Sequence, residues 1–111
     1  MKVKTTKLWV ATYLAPDIAL IEETLPDFRK TVDECRSNGP VNIVIDLQRV
    51  NFIDSSCLEY IQDLSTQLRL DGSTLRLAAP TEVCKEILVI TRTDLAVSTF
   101  DDLESAGRSF I

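Results

Sequence analysis

The chain has 111 residues, 45% of them hydrophobic and 26% charged, the profile of one domain that buries roughly two-thirds of its unfolded surface. Its formal net charge of −5 argues against a nucleic-acid partner, because an acidic surface repels phosphates and releases few counterions. Three cysteines, Cys35, Cys57 and Cys84, lie far apart with no C-x-x-C pair and no histidine in the chain, which suggests neither a zinc site nor a disulfide framework and fits reduced thiols in a cytoplasm.

The start, "MKVKTTKLWVATYLAP", sets lysines before a short apolar run as a signal peptide does. Yet Leu8, Val10, Thr12 and Leu14 alternate with Trp9, Ala11, Tyr13 and Ala15, which reads as a strand. No run reaches the roughly 20 apolar residues that a membrane span needs, so no direct membrane insertion is expected. Pro16 and Asp17 make a turn, and Leu25, Phe28, Val32 and Cys35 then recur at helical spacing opposite Arg29, Lys30, Asp33 and Glu34. Pro26 is tolerated only in a first turn, so the helix starts near Thr24, with Ile18 to Glu23 as a separate lead-in. "SNGP", residues 37–40, stops it. Val41 to Leu47, "VNIVIDL", is nearly continuous in apolar and β-branched character, which marks the central strand of a sheet covered on both faces.

Gln48 to Phe52 form a connection back toward the core. Leu58, Ile61, Leu64 and Leu68 make the buried stripe of a second helix ending before Asp71-Gly72. "TLRLAA", residues 74–79, is the next strand. A third helix begins near Pro80-Thr81 with Val83, Ile87 and Leu88 inward, Val97 to Phe100 form an edge strand, and a closing helix runs from Asp101. No repeat or linker divides the chain, so residues 1–111 are one domain of α/β layers.

Between the second strand's connection and the second helix stands "IDSSCLEY", residues 53–60, an acid and two hydroxyls between apolar runs. Ser56-x-x-Glu59 has the form of a capping box, worth about 1 kcal/mol. That reading leaves Asp54 and Ser55 without a task. Ser55 at a helix entrance lies beside unsatisfied N–H groups, where a phosphate is tolerated, and a phosphoserine there adds about −1.5 to −2 charge. Cys57 at the same helix start has two readings: a thiolate favoured by the helix dipole, which could gate the same surface, or a buried small hydrophobe like Cys35 and Cys84.

"VNIVIDLQRVNFIDSSCLEYI" resembles the signature of STAS domains, the anti-sigma factor antagonists, in which a hydrophobic strand and D-L-x-x-V-x-F-x-D-S-S-G-L lead into a helix. "CKEILVITRTDLAVSTFDDLESA", residues 84–106, is similar to the family's closing stretch in the same register. The resemblance implies an α/β domain with a four- to five-stranded mixed sheet and about four helices packed mainly on one face. It also implies a partner switch without a cofactor. The unmodified domain holds an anti-sigma factor that is itself a serine/threonine kinase, that kinase phosphorylates the domain and breaks the complex, and a serine phosphatase resets it. Carried onto this chain, the phosphoacceptor falls on Ser55, and the partner-facing set is Asp17, Asp54, Ser55, Ser56, Cys57 and Arg92. Three positions depart from the pattern. Cys57 replaces a glycine, so that a side chain could obstruct a kinase or partner backbone. Arg92 replaces the glycine of a Thr-Gly pair, and "YLAPD" stands where the family has L-x-G-x-L-D. A divergent member with another partner, or one never phosphorylated, remains open.

Two other classes compete. "DIALIEETLPDF" looks similar to STAS subunits of lipid-transport ABC systems, in which the serine need not be modified. Catalysis is not expected: Ser55 has no histidine to serve as base, Lys30 and Lys85 read as solvated charges, and the adjacent pairs Glu22-Glu23 and Asp101-Asp102 diverge on a helix.

Overall fold

Trp9 and Val10 divide the amino-terminal alternation into a hairpin, so the expected single strand over Leu8 to Ala15 is two: β1 (Val3–Leu8) and β2 (Ala11–Pro16), antiparallel with Leu8 opposite Ala11. The division carries no glycine, asparagine or proline signal, which is why alternation alone missed it. Trp9 holds φ 57°, a left-handed conformation that costs an L-residue about 1–2 kcal/mol, and a two-residue hairpin of this kind prefers glycine first. Trp9→Gly is therefore expected to stabilise the domain by about 1 kcal/mol, read as a higher urea midpoint with an unchanged slope.

The computed structural model describes all 111 residues. After the hairpin come α1 (Leu25–Arg36), β3 (Asn42–Asp46), α2 (Ser55–Leu70), β4 (Leu75–Ala78), α3 (Glu82–Ile90), the single turn α4 (Thr93–Ala96), β5 (Thr99–Phe100) and α5 (Leu103–Arg108). The five strands lie in the order β1-β2-β3-β4-β5, with β1 antiparallel and the others parallel. The expected mixed sheet with β3 at its centre is thus observed. No helix is long and apolar enough to cross a membrane.

Strand β3 is buried because both faces are covered. Ile43 and Ile45 join Leu14, Leu75 and Leu77 under Phe28 and Val32 of α1, Ile61, Leu64 and Leu68 of α2, and Cys84 and Leu88 of α3. Val44 points the other way, where it meets Ala11, Ala78 and Ala106 beneath α5. Each fully buried leucine or isoleucine contributes about 1.5–3 kcal/mol, so the first, larger cluster dominates stability. Val83, expected inward, is 51% exposed. The inward stripe of α3 runs instead through Cys84, Ile87 and Leu88, because Thr81 caps the helix from Cys84 and sets its rotation.

Candidate functional site

Parallel strands end together, so the segments leaving β2, β3 and β4 gather at one edge of the sheet, the usual place for a site in α/β folds. Backbone bonds lock the first two of these segments. Leu20 N–H donates to the Phe52 carbonyl at 2.9 Å, and Asp54 N–H donates to the Leu20 carbonyl at 3.0 Å, forming an isolated parallel bridge of Leu20 with Ile53. The third segment is tied in by the Thr81 hydroxyl, which donates to the Val50 carbonyl at 3.1 Å. The buried anchors Leu20, Val50 and Ile53 hold this edge from below, leaving the polar residues above them.

Asp54 caps α2. One carboxylate oxygen accepts the Cys57 N–H at 3.0 Å and the other accepts the Glu22 N–H at 2.7 Å. Desolvation pushes this carboxyl up, but the backbone N–H groups of Cys57, Glu22 and Ser56 together hold it below the usual carboxylate range. The expected Ser56 to Glu59 capping box is therefore not formed: Asp54 lies outside the helix with extended ψ, while Ser56 is already the second helical residue. Aspartate out-competes the serine because an ionised carboxylate accepts charge-assisted bonds and complements the helix dipole.

Ser55 is the first residue of α2 and is exposed, and its hydroxyl makes no side-chain bond. It stands where first-turn N–H groups lack helical partners, beside a carboxylate already engaged with its own two amides. Ser56 is half-buried. Cys57 is 1% exposed and belongs to the main core. Burial, aided by the Asp54 charge, pushes its thiol up to about 12, so the thiolate reading is overturned in favour of the small hydrophobe. The same burial removes the suspected obstruction: the side chain that replaces the family's glycine points into the core, away from anything approaching Ser55.

Asp17 and Arg92 lie apart from this turn. Asp17, at the same edge, accepts the Lys2 N–H at 2.8 Å and returns its own N–H to the Lys2 carbonyl at 3.0 Å. It closes the β1–β2 pair and has no bond to Asp54. Arg92 is exposed between α3 and α4 with φ 60°. Its neighbour Thr93 accepts a bond from Gln62 at 3.1 Å, which places this bend about two turns along α2 from Ser55. The left-handed backbone explains why a glycine suits this position. Arg92→Gly is expected to raise stability by about 1 kcal/mol in a chemical denaturation series.

Two flanking residues escaped the sequence reading. Ile18 is 43% and Phe52 47% exposed, one on each of the two segments that run into the parallel Leu20–Ile53 bridge. Phe52, expected in a connection turning back to the core, leaves that task to the buried Val50 and Ile53. The signal was present in the spacing: Val50 and Ile53 bury three apart, and the aromatic ring between them is left outside.

A STAS domain family model matches residues 5–106. Among solved structures, the chain is similar to TM1081 of Thermotoga maritima, described as a candidate anti-sigma factor antagonist. Its crystal structure aligns at 26% identity over 96% of this chain and 92% of that one, with a TM-score of 0.89. The same protein's NMR structure aligns at 27% identity over 94% and 84%, with a TM-score of 0.82. An anti-sigma-factor antagonist (STAS) domain protein of Planctomyces limnophilus shares the fold at 20% identity over 94% and 93%, with a TM-score of 0.80. No curated protein matches the chain.

Proposed function

This chain belongs to the STAS domain family, and from that premise we propose that it is an anti-sigma factor antagonist that switches partners by phosphorylation of Ser55. In this reading the unmodified domain binds an anti-sigma factor that is a serine/threonine kinase. The kinase places a phosphate on the Ser55 hydroxyl, and a serine phosphatase removes it. The domain does no chemistry of its own.

The observation that carries the reading is the division of labour at the start of α2. Asp54 performs the structural work of the cap, while Ser55 is exposed with no hydrogen bond to lose. A phosphoacceptor needs this freedom, because the kinase must reach the oxygen and the modified domain must stay folded. The surrounding surface suits a protein partner: Ile18 and Phe52 offer exposed apolar area on the two segments joined by the Leu20–Ile53 bridge that leads into the serine, and aromatic anchors of this kind often dominate binding energy. Asp17, Ser56 and Arg92 belong to the rim in this proposal. Cys57 supports it from inside the core.

The test is to incubate the purified domain with candidate anti-sigma kinases and ATP, follow intact mass, and map the modified residue. The expected result is one added phosphate on Ser55, absent in Ser55→Ala. If no phosphate appears and binding to a kinase or to a transport ATPase survives Ser55→Asp, the domain is an unmodified docking subunit instead.

A further inference from the structure

The hairpin tip is unsuited to its own backbone. Trp9 occupies the strained position, yet it is 85% exposed, with Leu8 at 53%, Val10 at 56% and the carboxyl-terminal Ile111 at 84% beside it. No packing inside the chain compensates for placing these residues at a turn, and a local rule broken without internal gain marks a requirement outside the fold. Between the tip and α5 lies a groove of about 430 Å³ whose lining includes Leu8, Trp9, Tyr13, Phe110 and Ile111. Its wall depends on Gly107, where a Cβ would run into the Tyr13 hydroxyl.

The groove continues into an open sheet edge. β1 is the outermost strand and pairs only with β2. The bond from Asp17 N–H to the Lys2 carbonyl sets the alternation, so even-numbered residues of β1 bond to β2 and the backbone of Val3, Thr5 and Lys7 faces outward. Within this strand the charge is one-sided: three of the chain's 12 basic residues and none of its 17 acidic ones lie in residues 1–8, and the carboxylates of Asp17 and Asp27 meet only its first two residues. Lys2, Lys4 and Lys7 are all exposed. Lys4, opposite Ala15, and Lys7, opposite Thr12, project to different faces of the sheet. An added strand therefore meets a lysine on either face.

The chemistry of the occupant follows. A second copy would set lysines against lysines, which disfavours pairing of two β1 edges. A lipid surface would leave the outward backbone groups unpaired, and the groove itself adds no net charge to attract one, because its Glu104 is ion-paired with Arg108 at 3.1 Å. We infer that β1 and the hairpin tip form a docking site for an extended acidic segment of a partner protein. The segment adds as a sixth strand beside β1, its carboxylates meet the lysines, and an apolar side chain lies in the groove against Trp9. The site is at the end of the sheet opposite Ser55, because the tip precedes β2 while Ser55 follows β3 and the two strands are parallel. The domain can then hold this segment and the partner at Ser55 together.

The test is to pan a random peptide library on the full domain, with counter-selection on Lys4→Glu/Lys7→Glu/Trp9→Gly. The expected selection is acidic peptides with a spaced apolar residue. A synthetic peptide of the selected sequence should shift the amide resonances of Val3, Thr5 and Lys7, weaken with added salt, and lose affinity by about tenfold in Trp9→Gly alone. Trp9→Gly should melt no lower than the native domain, so that lost binding is not lost folding. Selection of basic or neutral peptides, equal binding to the triple variant, or shifts confined to the Ser55 edge would overturn the proposal. So would cosedimentation with phosphatidylserine vesicles without any selected peptide, which would make the tip a lipid-contact surface. None of these outcomes depends on whether Ser55 is phosphorylated.

Discussion

Under the proposed switch, Ser55→Asp, or phosphorylation of Ser55, is expected to weaken binding of the proposed anti-sigma factor partner by about 100-fold or more, equivalent to about 2.7 kcal/mol. The unfolding free energy should stay within about 0.5 kcal/mol of the native value, as for other exposed substitutions that break no bond. The two effects separate because Ser55 is exposed and unbonded while its neighbour holds the helix end. A new negative charge at the first helical residue would ordinarily find the amides of the first turn. Here Asp54 already accepts from Cys57 and Glu22, so the added charge competes with a carboxylate already in place. It remains directed outward, and a partner closing over it must desolvate an unpaired charge. Ser55→Ala should bind within a few-fold of the native domain and resist the kinase. Titration calorimetry with the native, Ala and Asp forms reads all three, and equal affinity of the Asp form would refute the switch.

Asp54→Ala is expected to destabilise the domain by about 2–3 kcal/mol, the largest effect of any single polar substitution at this edge. It removes a helix cap, typically worth about 1 kcal/mol, and a second charge-assisted bond from the Glu22 amide. The second loss matters because that bond joins the segment after β2 to the start of α2. Asp54→Asn should recover part of the cap and lose the charge. The pH dependence follows from the depressed carboxyl. Its stabilisation is fully present above the unfolded aspartate value, near 4, and is lost as pH falls through the lower native value. The acid limb of the stability curve should therefore be shallower in Asp54→Ala. It should not vanish, because Asp102, held low by the Ser105 amide at the cap of α5, titrates in the same direction. Urea titrations across this range distinguish the two contributions, and an unchanged acid limb in Asp54→Ala would remove the linkage argument.

The elements that could be read in the sequence were those whose residues carry their own signal. The unbroken run of β3, the stripe of Leu58, Ile61, Leu64 and Leu68 along α2, and the stop at Asp71-Gly72 appear as expected because periodicity and burial agree there. The turn at Trp9-Val10 was illegible because its residues oppose the turn they make. The one-turn helix α4 was also missed, since four residues are too few to show a period. At the candidate site, the cluster Asp54, Ser55, Ser56 and Cys57 was visible as polarity between apolar runs, but not the assignment of tasks within it. Both Asp54 and Ser56 belong to types that cap helices, and the choice depends on where the helix starts.

The sequence by itself determined the α/β class, the order of strands and helices apart from the hairpin and α4, and the position of the polar turn, because these follow from local pattern and from residue chemistry. Only the tertiary structure decided which side chains that turn presents. The bridge of Leu20 with Ile53 brings the Glu22 amide to Asp54 across 32 residues, fixing Asp54 as the cap and freeing Ser55. Packing of α2 on the sheet turns Cys57 inward, where burial suppresses its thiolate and keeps its bulk from the surface. Likewise the charge of residues 1–8 is plain in the sequence, but its place along an open sheet edge, beside an apolar groove closed by α5, arises from strand order and from contacts between the two ends of the chain. Contacts so distant in sequence leave no periodic trace, since each is set by the docking of whole elements.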